Sequence, residues 1–321
     1  MDMTRHPEAA SLSTAGHPAY LWLNGALRPW LEAHIHVTAM GASAHTSVFE
    51  GINGYVHPPT GDLLVFRLAD HLRRLIDSMR LMRMPFDASV DDLAANTVEL
   101  LRANQTARDT YIRPVAFYSG LDHVAFADTL GAKPELLIWT RPFQSVLDAP
   151  LVHHLGVASW ARISDNVMPA RIKAMSNYQN NRLAALEVRV NGYDDALLLT
   201  TTGKVAEAPG AAIFLVRHGV AITPGVTSGI LESITRATVI SLIRERLGIA
   251  VEERDVDRTE LYVADEAFLC GTAAEVKSIG SLDRITIGSG QEGPVTRQVR
   301  LLYRGQVRGT DPACPEWRTR V

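Results

Sequence analysis

The segment around Lys173 constrains this chain most, because it sets one amine between a predicted strand and the start of a predicted helix. Residues His154–Trp160 form an apolar run typical of a strand, and apolar residues recur at helical spacing after the lysine. Ser176 or Asn177 can cap the start of that helix, and Gly192 can end it. We therefore expect Lys173 in a loop held by rigid neighbours, the usual setting for a reactive group.

Lysine is rare in this sequence. Lysine and arginine together number 32, yet the only lysines are Lys133, Lys173, Lys204 and Lys277. Lysine differs from arginine because it can lose its proton when desolvated and then attack a carbonyl carbon as a neutral amine. Lys133 and Lys204 lie in polar turns and Lys277 on a predicted strand, so Lys173 is the strongest candidate. Taken alone, Lys173 is more simply interpreted as an exposed loop cation.

The composition is ordinary for a soluble globular protein. Hydrophobic residues make up 46% of the 321 positions, charged residues 21%, and the formal net charge is −3. This slightly acidic balance argues against sequence-independent binding of nucleic acid, which needs a basic surface. No apolar run approaches the roughly 20 residues that span a bilayer. Residues Met1–His6 lack the apolar core of a signal peptide, so we expect a cytoplasmic protein.

The two cysteines, Cys270 and Cys314, are too few for a disulfide framework or a thiolate metal cage. Cys270 lies in an apolar run, where a cysteine usually acts as a small core residue. The sequence therefore predicts no metal site.

The length suits two domains of roughly 100–200 residues each. Residues 1–18 are polar and pattern-free, so we expect a flexible tail there. Residues 19–141 are predicted to form a small α/β domain with both helical and strand periods. Residues 142–150 are predicted to be the interdomain linker, and residues 151–321 a larger domain that carries Lys173.

Periodicity predicts the elements of the first domain. Asn24-Gly25 is the pair that favours a tight hairpin turn, and a second hairpin is expected to pair Ser47–Ile52 with Leu63–Phe66. The other predicted elements are a helix from near Asp70 to before Pro85, a helix over Val90–Ala103 capped by Ser89, and strands at Thr110–Phe117 and Glu135–Thr140.

The second domain is predicted to alternate strands with helices. Its predicted elements after the Lys173 segment are strands at Ala196–Leu199 and Ala211–Val216, a helix over Ile234–Leu247 ending at Gly248, strands around Val251 and Phe268, and a helix after Pro294. No internal repeat or low-complexity segment interrupts this pattern.

An amine that attacks carbonyls suits an aldehyde cofactor, of which pyridoxal phosphate is the common protein-borne example. Its phosphate needs free amides at a helix start, and a helix capped by Ser233 leaves those of Ile234 and Thr235 unpaired. Its pyridine nitrogen needs an acid, and Glu207 lies between two apolar strands. Tyr178 could serve the ring oxygen. Each feature alone has a plainer interpretation, a capped surface helix or an exposed bend.

A series of motifs runs along the chain in an order that is specific as a set, although each is weak alone. The motifs are Thr46–Ile52, His71–Leu75, Tyr111–Pro114, Lys173–Tyr178, Glu207, Glu232–Arg236, Leu261–Glu266, Gly271–Glu275 and Gly293–Thr296. Together they resemble the fold type IV pyridoxal-phosphate-dependent aminotransferases, the branched-chain aminotransferase family, from about Tyr20 to Gly305. The resemblance implies an α+β, two-domain fold, in which a small α/β domain joins a larger cofactor-binding domain with a mixed, barrel-like β-sheet.

The resemblance also implies roles for individual residues. Lys173 would bind the cofactor covalently and shuttle the substrate proton, Glu207 would pair with the pyridine nitrogen, and Tyr178 with the ring oxygen. The residues implied to bind the phosphate are Arg74, Ile234, Thr235 and Thr272. The residues implied to bind the substrate are Phe49, Tyr111, Arg113, Ala273 and Ala274, with Arg113 at the distal carboxylate of a glutamate donor. A homodimer is also implied, in which a small-domain loop completes the partner's site.

The chain departs from the family pattern at several positions. Ala44-His45 stand where Tyr-Gly is frequent, and Asn53 stands where an arginine is frequent. Both changes bear on substrate choice. Ala212 replaces a common asparagine and Ser233 a common glycine, and these changes concern support of the cofactor.

The resemblance implies an aminotransferase that moves the amino group of a branched-chain or other apolar L-amino acid to 2-oxoglutarate by a ping-pong mechanism. A D-amino acid or (R)-amine transaminase of the same fold is an alternative, as is a lyase acting on aminodeoxychorismate. Tyr111–Pro114 and Gly271–Glu275 weigh against the lyase. A third possibility is a non-catalytic carrier of the cofactor.

Overall fold

The computed structural model describes residues 17–39, 46–120 and 132–321. The predicted flexible tail therefore lies outside the described residues except for its last two positions, and Ala44 and His45 lie outside them too. The described residues form two β-sheets with helices packed against them, which confirms the α+β prediction.

The first sheet is antiparallel throughout and runs in the order β16-β5-β4-β6-β7-β1-β2, with β3 paired to β6. Its strands, numbered along the chain, are β1 Tyr20–Leu23, β2 Ala26–Pro29, β3 Val48–Phe49, β4 Ile52–Val56, β5 Leu63–Phe66, β6 Thr110–Phe117, β7 Glu135–Pro142 and β16 Arg318–Arg320.

The second sheet runs in the order β12-β11-β10-β13-β14-β8-β9, with β15 on β14. Its strands are β8 Val152–Val157, β9 Asp195–Leu197, β10 Ala212–Arg217, β11 Val220–Thr223, β12 Val251–Glu253, β13 Glu266–Gly271, β14 Glu275–Leu282 and β15 Ile285–Thr286. Strand β8 is parallel to both of its neighbours and β12 is parallel to β11, whereas the other pairs are antiparallel. The sheet is therefore mixed, as predicted.

Helices cover the apolar faces of both sheets. The helices are α1 Leu68–Leu81, α2 Val90–Ala103, α3 Tyr178–Val190, α4 Ile234–Ser241, α5 Arg258–Tyr262 and α6 Pro294–Arg308. The apolar stripes of α1 and α2 pack on the first sheet. Helices α4 and α6 pack on the second, where Tyr55 and Phe66 of the first sheet join the same core. This shared core ties the two sheets together.

The first predicted hairpin is confirmed, and the second is wrong in one arm. Asn24 and Gly25 adopt φ angles of 49° and 94°, as a tight turn between β1 and β2 requires. In the second hairpin β5 pairs with β4 rather than with Ser47–Ile52. Val48–Phe49 instead pairs with β6, because the chain leaves the strand conformation at Glu50-Gly51 before β4 begins.

The helix over Val90–Ala103 is confirmed, with Ser89 in a reciprocal capping box with Asp92. The helix after Lys173 is confirmed as α3 and ends before Gly192. Asn177 occupies the N-cap position, one of the two predicted, but its side chain makes no capping hydrogen bond. The helix predicted to reach Leu247 remains α-helical only to Ser241, after which one π-helical turn follows.

The predicted linker is packed rather than loose. Between β7 and β8 the chain forms no helix or strand, yet Leu147 is fully buried. Ser145 Oγ and the Val146 amide both donate to the carboxylate of Glu275. The last strand, β16, pairs with β5 of the first sheet, so the chain returns to that sheet at its end. The division into residues 19–141 and 151–321 stays a prediction.

None of the helices in the described ranges combines the length and apolar character needed to cross a bilayer.

The capping box of α2 gives a stability prediction. Ser89→Ala removes the oxygen that accepts the Asp92 amide, so the free energy of unfolding should fall by about 1 kcal/mol. Urea denaturation followed by circular dichroism measures the change. Asp91→Asn, on the same exposed turn, should cost less because it removes only a charge near the helix start. Equal losses in both variants would show that the box contributes no more than that charge.

Candidate functional site

The Lys173 segment is hydrogen-bonded to strand β3 of the first sheet. The Phe49 amide donates to the Lys173 carbonyl at 3.0 Å, and the Met175 amide donates to the Ser47 carbonyl at 2.9 Å. The Lys173 amide donates in turn to Ser78 Oγ of α1 at 3.2 Å. The backbone on both sides of the lysine is thus fixed to the first sheet, although its sequence neighbours lead into the second.

The side chain of Lys173 enters a cavity, whereas its neighbours also contribute to the core of the first sheet. Ile172 and Ala174 are buried in the core of the first sheet, and Ile172 also reaches the cavity wall. In the cavity, Lys173 Nζ donates to the Tyr178 hydroxyl at 2.9 Å and lies 5.1 Å from the centre of the Phe49 ring. The expectation of a lysine held by rigid neighbours agrees with this geometry.

The cavity has a volume of about 210 Å³ and is lined by residues of both sheets. The predicted site residues that line it are Phe49, Arg74, Tyr111, Arg113, Lys173, Tyr178, Glu207, Ile234, Thr272 and Ala273. Thr235 and Ala274 are buried next to it but do not line it. The structure therefore gathers residues that lie more than two hundred positions apart in the sequence around one amine.

Glu207 is buried at one wall of the cavity beside Arg162. Arg162 Nη2 lies 2.9 Å from Glu207 Oε1, and the Leu231 amide donates to both carboxylate oxygens at 3.2 and 3.3 Å. Burial raises the pKa of Glu207, and the positive charge of Arg162 opposes that rise. The side chain is thus a desolvated acid with one fixed cationic partner.

Arg162 is itself held by two further acceptors. Its Nη1 donates to Asn181 Oδ1 at 2.8 Å and its Nε to the Gly229 carbonyl at 3.1 Å. A guanidinium with all of its sides engaged cannot swing away from Glu207. The sequence indicated that Glu207 needs a partner, but it offered no way to choose among many arginines.

A second buried carboxylate, Glu50, holds Arg74. Arg74 Nε and Nη2 donate to the two oxygens of Glu50 at 2.6 and 2.8 Å, and His71 Nδ1 lies 2.8 Å from Oε2. Although burial alone would raise the pKa of Glu50, the charge of Arg74 and the hydrogen bonds from Arg74 and His71 hold it well below its usual range. Arg74 Nη1 reaches the Glu232 carbonyl at 2.7 Å, beside the start of α4.

Glu50 was missed as a functional residue in the sequence. It lies inside the Thr46–Ile52 motif, but nothing local shows that its partners come from α1. The signal that could have found it is an acid flanked by apolar residues, since a buried carboxylate needs a cationic or hydrogen-bonding partner. Arg74, expected from the sequence as a phosphate ligand, is thereby held at the cavity wall.

The start of α4 presents free backbone amides to the cavity. Ser233 Oγ accepts the Arg236 amide, which confirms the predicted cap. The first amides of a helix have no acceptor within it, so those of Ile234 and Thr235 stay available for an anion. Arg74 at the same end adds a positive charge, which completes a site suited to a phosphate group.

The side of the cavity formed by β3 and β6 carries aromatic rings and a guanidinium. Arg113 lies 4.1 Å above the Phe49 ring, and its Nη2 lies 3.0 Å from Met175 Sδ. Tyr111 packs against Gly51 so closely that a methyl group there would lie 2.6 Å from the tyrosine oxygen. Glycine at position 51 is therefore required for the tyrosine to enter the cavity.

In the described ranges, no three His, Cys, Asp or Glu side chains gather in a way that could bind a metal ion.

Comparison with known proteins decides the family. The family model for amino-transferase class IV matches residues 47–282. The chain belongs to this family. It is 37% identical over 302 residues to a probable branched-chain-amino-acid aminotransferase of Aquifex aeolicus, which covers 94% of this chain and 96% of that relative.

Solved structures of class IV aminotransferases extend the likeness to three dimensions. The branched-chain amino acid aminotransferase from Thermobaculum terrenum in its PLP form is 49% identical, with a TM-score of 0.91 over 95% of this chain and 99% of that one. The branched-chain aminotransferase from Thermoproteus uzoniensis with norvaline is 39% identical, with a TM-score of 0.89 over 94% and 99%. The predicted fold type IV is thereby confirmed.

A third solved relative carries a derivative of the cofactor. It is a branched-chain amino acid aminotransferase complexed with N-(5'-phosphopyridoxyl)-L-glutamate, and it is 35% identical, with a TM-score of 0.86 over 94% of this chain and 98% of that one. We refer to it below as the phosphopyridoxyl-glutamate complex.

This class IV aminotransferase uses pyridoxal phosphate, as its family and its solved relatives do. The donor set of the cavity fits that group. The cavity walls offer a lysine amine for the aldehyde, a buried acid for the ring nitrogen, and a helix start with an arginine for the phosphate.

The Glu50 ion pair predicts how stability depends on pH. Glu50→Gln should lower the free energy of unfolding by about 3–5 kcal/mol near neutral pH, because Arg74 is left as a buried cation without a counter-charge. Folding lowers the pKa of Glu50 from its usual 4.5. The contribution of Glu50 to the free energy of unfolding is therefore complete above pH 4.5 and is lost as the pH falls below it. The difference in unfolding free energy between wild type and Glu50→Gln should therefore become smaller as the pH falls.

Unfolding curves at several pH values measure this gap. The exposed Glu99→Gln on α2 is the matched control and should change stability by less than about 0.5 kcal/mol at every pH. A gap for Glu50→Gln that widens as the pH falls would contradict the assignment of an ionised Glu50.

Proposed function

We propose that this aminotransferase moves the amino group of a branched-chain or other apolar L-amino acid to 2-oxoglutarate in a ping-pong cycle. The observation that carries the proposal is one cavity in which Lys173 and Glu207 face aromatic and apolar groups together with the guanidinium of Arg113. The relatives named above are branched-chain aminotransferases, and the phosphopyridoxyl-glutamate complex holds a glutamate derivative of the cofactor.

Lys173 is proposed as the catalytic residue. When bound, pyridoxal phosphate supplies an electron sink that stabilises negative charge on a substrate carbon. The Lys173 amine would hold the cofactor through its aldehyde carbon in the resting enzyme and, once displaced by substrate, would carry the proton away from the substrate Cα at Nζ. The Tyr178 hydroxyl, already 2.9 Å from Nζ, would orient the amine and serve the ring oxygen.

Glu207 is proposed to face the pyridine nitrogen. Its raised pKa means that burial disfavours the bare carboxylate, so a positive charge on the ring nitrogen would be a favourable second partner besides Arg162. At the other end of the cavity, the phosphate would be bound by Arg74 and by the amides of Ile234, Thr235 and Thr272.

The substrate is proposed to lie on the β3 and β6 side of the cavity. Tyr111 and the turn Thr272–Ala274 would orient its α-carboxylate, and Phe49 would contact an apolar side chain. Arg113 would bind the distal carboxylate of glutamate or 2-oxoglutarate. Its contacts with the Phe49 ring and Met175 Sδ are weak enough to be exchanged for a carboxylate.

A half-reaction panel separates this proposal from its alternatives. The purified holoenzyme is mixed with L-amino acids, D-amino acids or (R)-amines while the absorbance of the lysine-bound cofactor is followed. Conversion with apolar L-amino acids supports the proposal. Conversion only with D-amino acids or (R)-amines favours those transaminases, pyruvate release from aminodeoxychorismate favours the lyase, and no conversion with any donor favours a non-catalytic carrier.

Removal of the Lys173 amine is the direct test of the catalytic role. Lys173→Ala should abolish amino transfer and the absorbance of the covalently bound cofactor, while circular dichroism and the unfolding midpoint stay close to wild type. Lys204→Ala is the matched control, because it removes a surface amine that pairs with Asp257 and does not line the cavity. Full activity in Lys173→Ala would refute the assignment.

Removal of the Arg113 charge tests whether this residue binds the distal carboxylate of glutamate and 2-oxoglutarate. Arg113→Gln should lower kcat/KM for glutamate about 10- to 100-fold through KM, because a charge-assisted hydrogen bond to the distal carboxylate is lost. The kcat/KM for L-leucine in the same half-reaction assay should change only a few-fold, since leucine has no second carboxylate. Equal losses for both donors would contradict this role for Arg113.

The homodimer implied by the family resemblance stays a prediction, and light scattering of the purified protein measures it. Cytoplasmic localisation also stays a prediction.

A further inference from the structure

Asn53 on β4 is hydrogen-bonded to the turn Thr272–Ala274, which is proposed to bind the substrate carboxylate. Its side chain is 3% exposed, and its Nδ2 donates to the Thr272 carbonyl at 2.7 Å across more than two hundred positions of sequence. The same nitrogen donates to the Tyr55 hydroxyl at 3.1 Å. Asn53 does not itself line the cavity, whereas Thr272 and Ala273 do.

The orientation of the Asn53 amide is determined by its neighbours. The Tyr55 hydroxyl donates its hydrogen to Glu275 Oε1 at 2.9 Å, so its oxygen can only accept from Asn53. The Thr272 carbonyl is also an acceptor. Both contacts therefore require the NH₂ group, and the side chain cannot be turned over without losing both hydrogen bonds.

Glu275 anchors the far end of this chain of hydrogen bonds. Its carboxylate accepts from Tyr55, from Ser145 Oγ at 2.9 Å and from the Val146 amide at 2.5 Å. Its backbone adopts a φ of 52°, in the left-handed region where non-glycine residues are strained. Glu275, which directly follows the turn, is thus held by Ser145 and Val146 from the segment between β7 and β8. Its carboxylate also holds the Tyr55 hydroxyl.

The hydrogen bond from Asn53 to the Thr272 carbonyl sets the direction of the Ala273 amide. A trans peptide is planar, with its C=O and N–H pointing in opposite directions, and none of the described peptide bonds is cis. Because the Thr272 oxygen points to Asn53, the Ala273 N–H points away from Asn53, and Ala273 is a residue of the cavity wall. Among the described residues this N–H has no hydrogen-bond acceptor in the protein.

We propose that Asn53 is a positioning residue that aims the Ala273 amide at the α-carboxylate of the substrate. The inference rests on the proposed function, because that function places the carboxylate at this turn. Asn53 stands where the family often has an arginine, so this chain orients the turn with a neutral amide and adds no charge of its own. The direction of this backbone N–H then contributes to carboxylate affinity beside Tyr111 and the rest of the turn.

Carboxylate binding to the holoenzyme tests the inference without turnover. The probe is 4-methylvaleric acid, a carboxylate that has no amino group, titrated while the cofactor absorbance or the heat of binding is recorded. Asn53→Leu keeps the size of the side chain but removes its donors, so the Kd should rise about 10-fold or more. Cofactor affinity should stay within about threefold of wild type, since the other phosphate ligands are untouched.

Two matched variants show whether the effect is specific. Thr97→Val removes an equally buried side-chain donor from α2, far from the cavity, and should leave the Kd unchanged. Asn53→Asp keeps the shape but replaces the donor by an acceptor facing the Thr272 carbonyl, and should weaken binding at least as much as Asn53→Leu. Hydrogen exchange of the peptide spanning residues 271–275 should be faster in every folded Asn53 variant.

The outcomes separate the inference from the proposed function. Unchanged Kd and unchanged exchange at residues 271–275 in Asn53→Leu, with a wild type that converts L-leucine, would overturn the inference alone. A wild type that converts no donor would overturn the proposed function. A wild type that does not bind 4-methylvaleric acid would overturn the inference, whatever its activity.

Discussion

The two backbone hydrogen bonds between the Lys173 segment and β3 are the contacts on which the site depends. They join the segment that carries the Lys173 amine to the strand that carries Phe49, so the proposed catalytic amine and the proposed substrate side of the cavity are held together. Burial of Ile172 and Ala174 in the first core anchors the segment on both sides of Lys173. A loop tethered only at its ends could not hold an amine to the precision that covalent chemistry needs.

The charges around the cavity are fixed by protein groups. Glu207 is paired with Arg162 and Glu50 with Arg74, and each arginine is also bound to a backbone carbonyl. Removal of one member of such a pair leaves an uncompensated buried charge, which explains why both pairs are held by several contacts. Each end therefore carries an ion pair, with Glu207 placed to face the ring nitrogen of the cofactor and Arg74 placed to face its phosphate.

Local sequence was sufficient where local interactions decide the structure. The helix with Ser89 as its cap and the Asn24-Gly25 turn follow from side chains within a few positions, and both were predictable. Lys173 and Glu207 stood out as a rare lysine and a lone acid in an apolar segment, and both line the cavity, while their roles stay predictions. The false hairpin arm at Ser47–Ile52 arose because an apolar run does not show which strand it pairs with.

The contacts that assemble the site could not be predicted, because they join distant segments. Arg162 and Glu50 were missed, since one arginine among many carries no mark of its partner. The sequence predicts Ser176 or Asn177 as the helix cap. Asn177 takes that position, but its side chain donates to the carbonyls of Pro169 and Ile172 and so closes the loop in front of Lys173. Asn53 was visible only as a departure from a pattern, and its bond to Thr272 needs the fold.

The most direct measurement of the central claim is to locate the cofactor on the chain. The holoenzyme is reduced with borohydride, digested and analysed by mass spectrometry, so that a lysine joined to the cofactor carries a stable mass label. The account predicts a label on the peptide that contains Lys173 and on no other. A label on Lys133, Lys204 or Lys277, or a cofactor that is bound but not attached to any lysine, would contradict it.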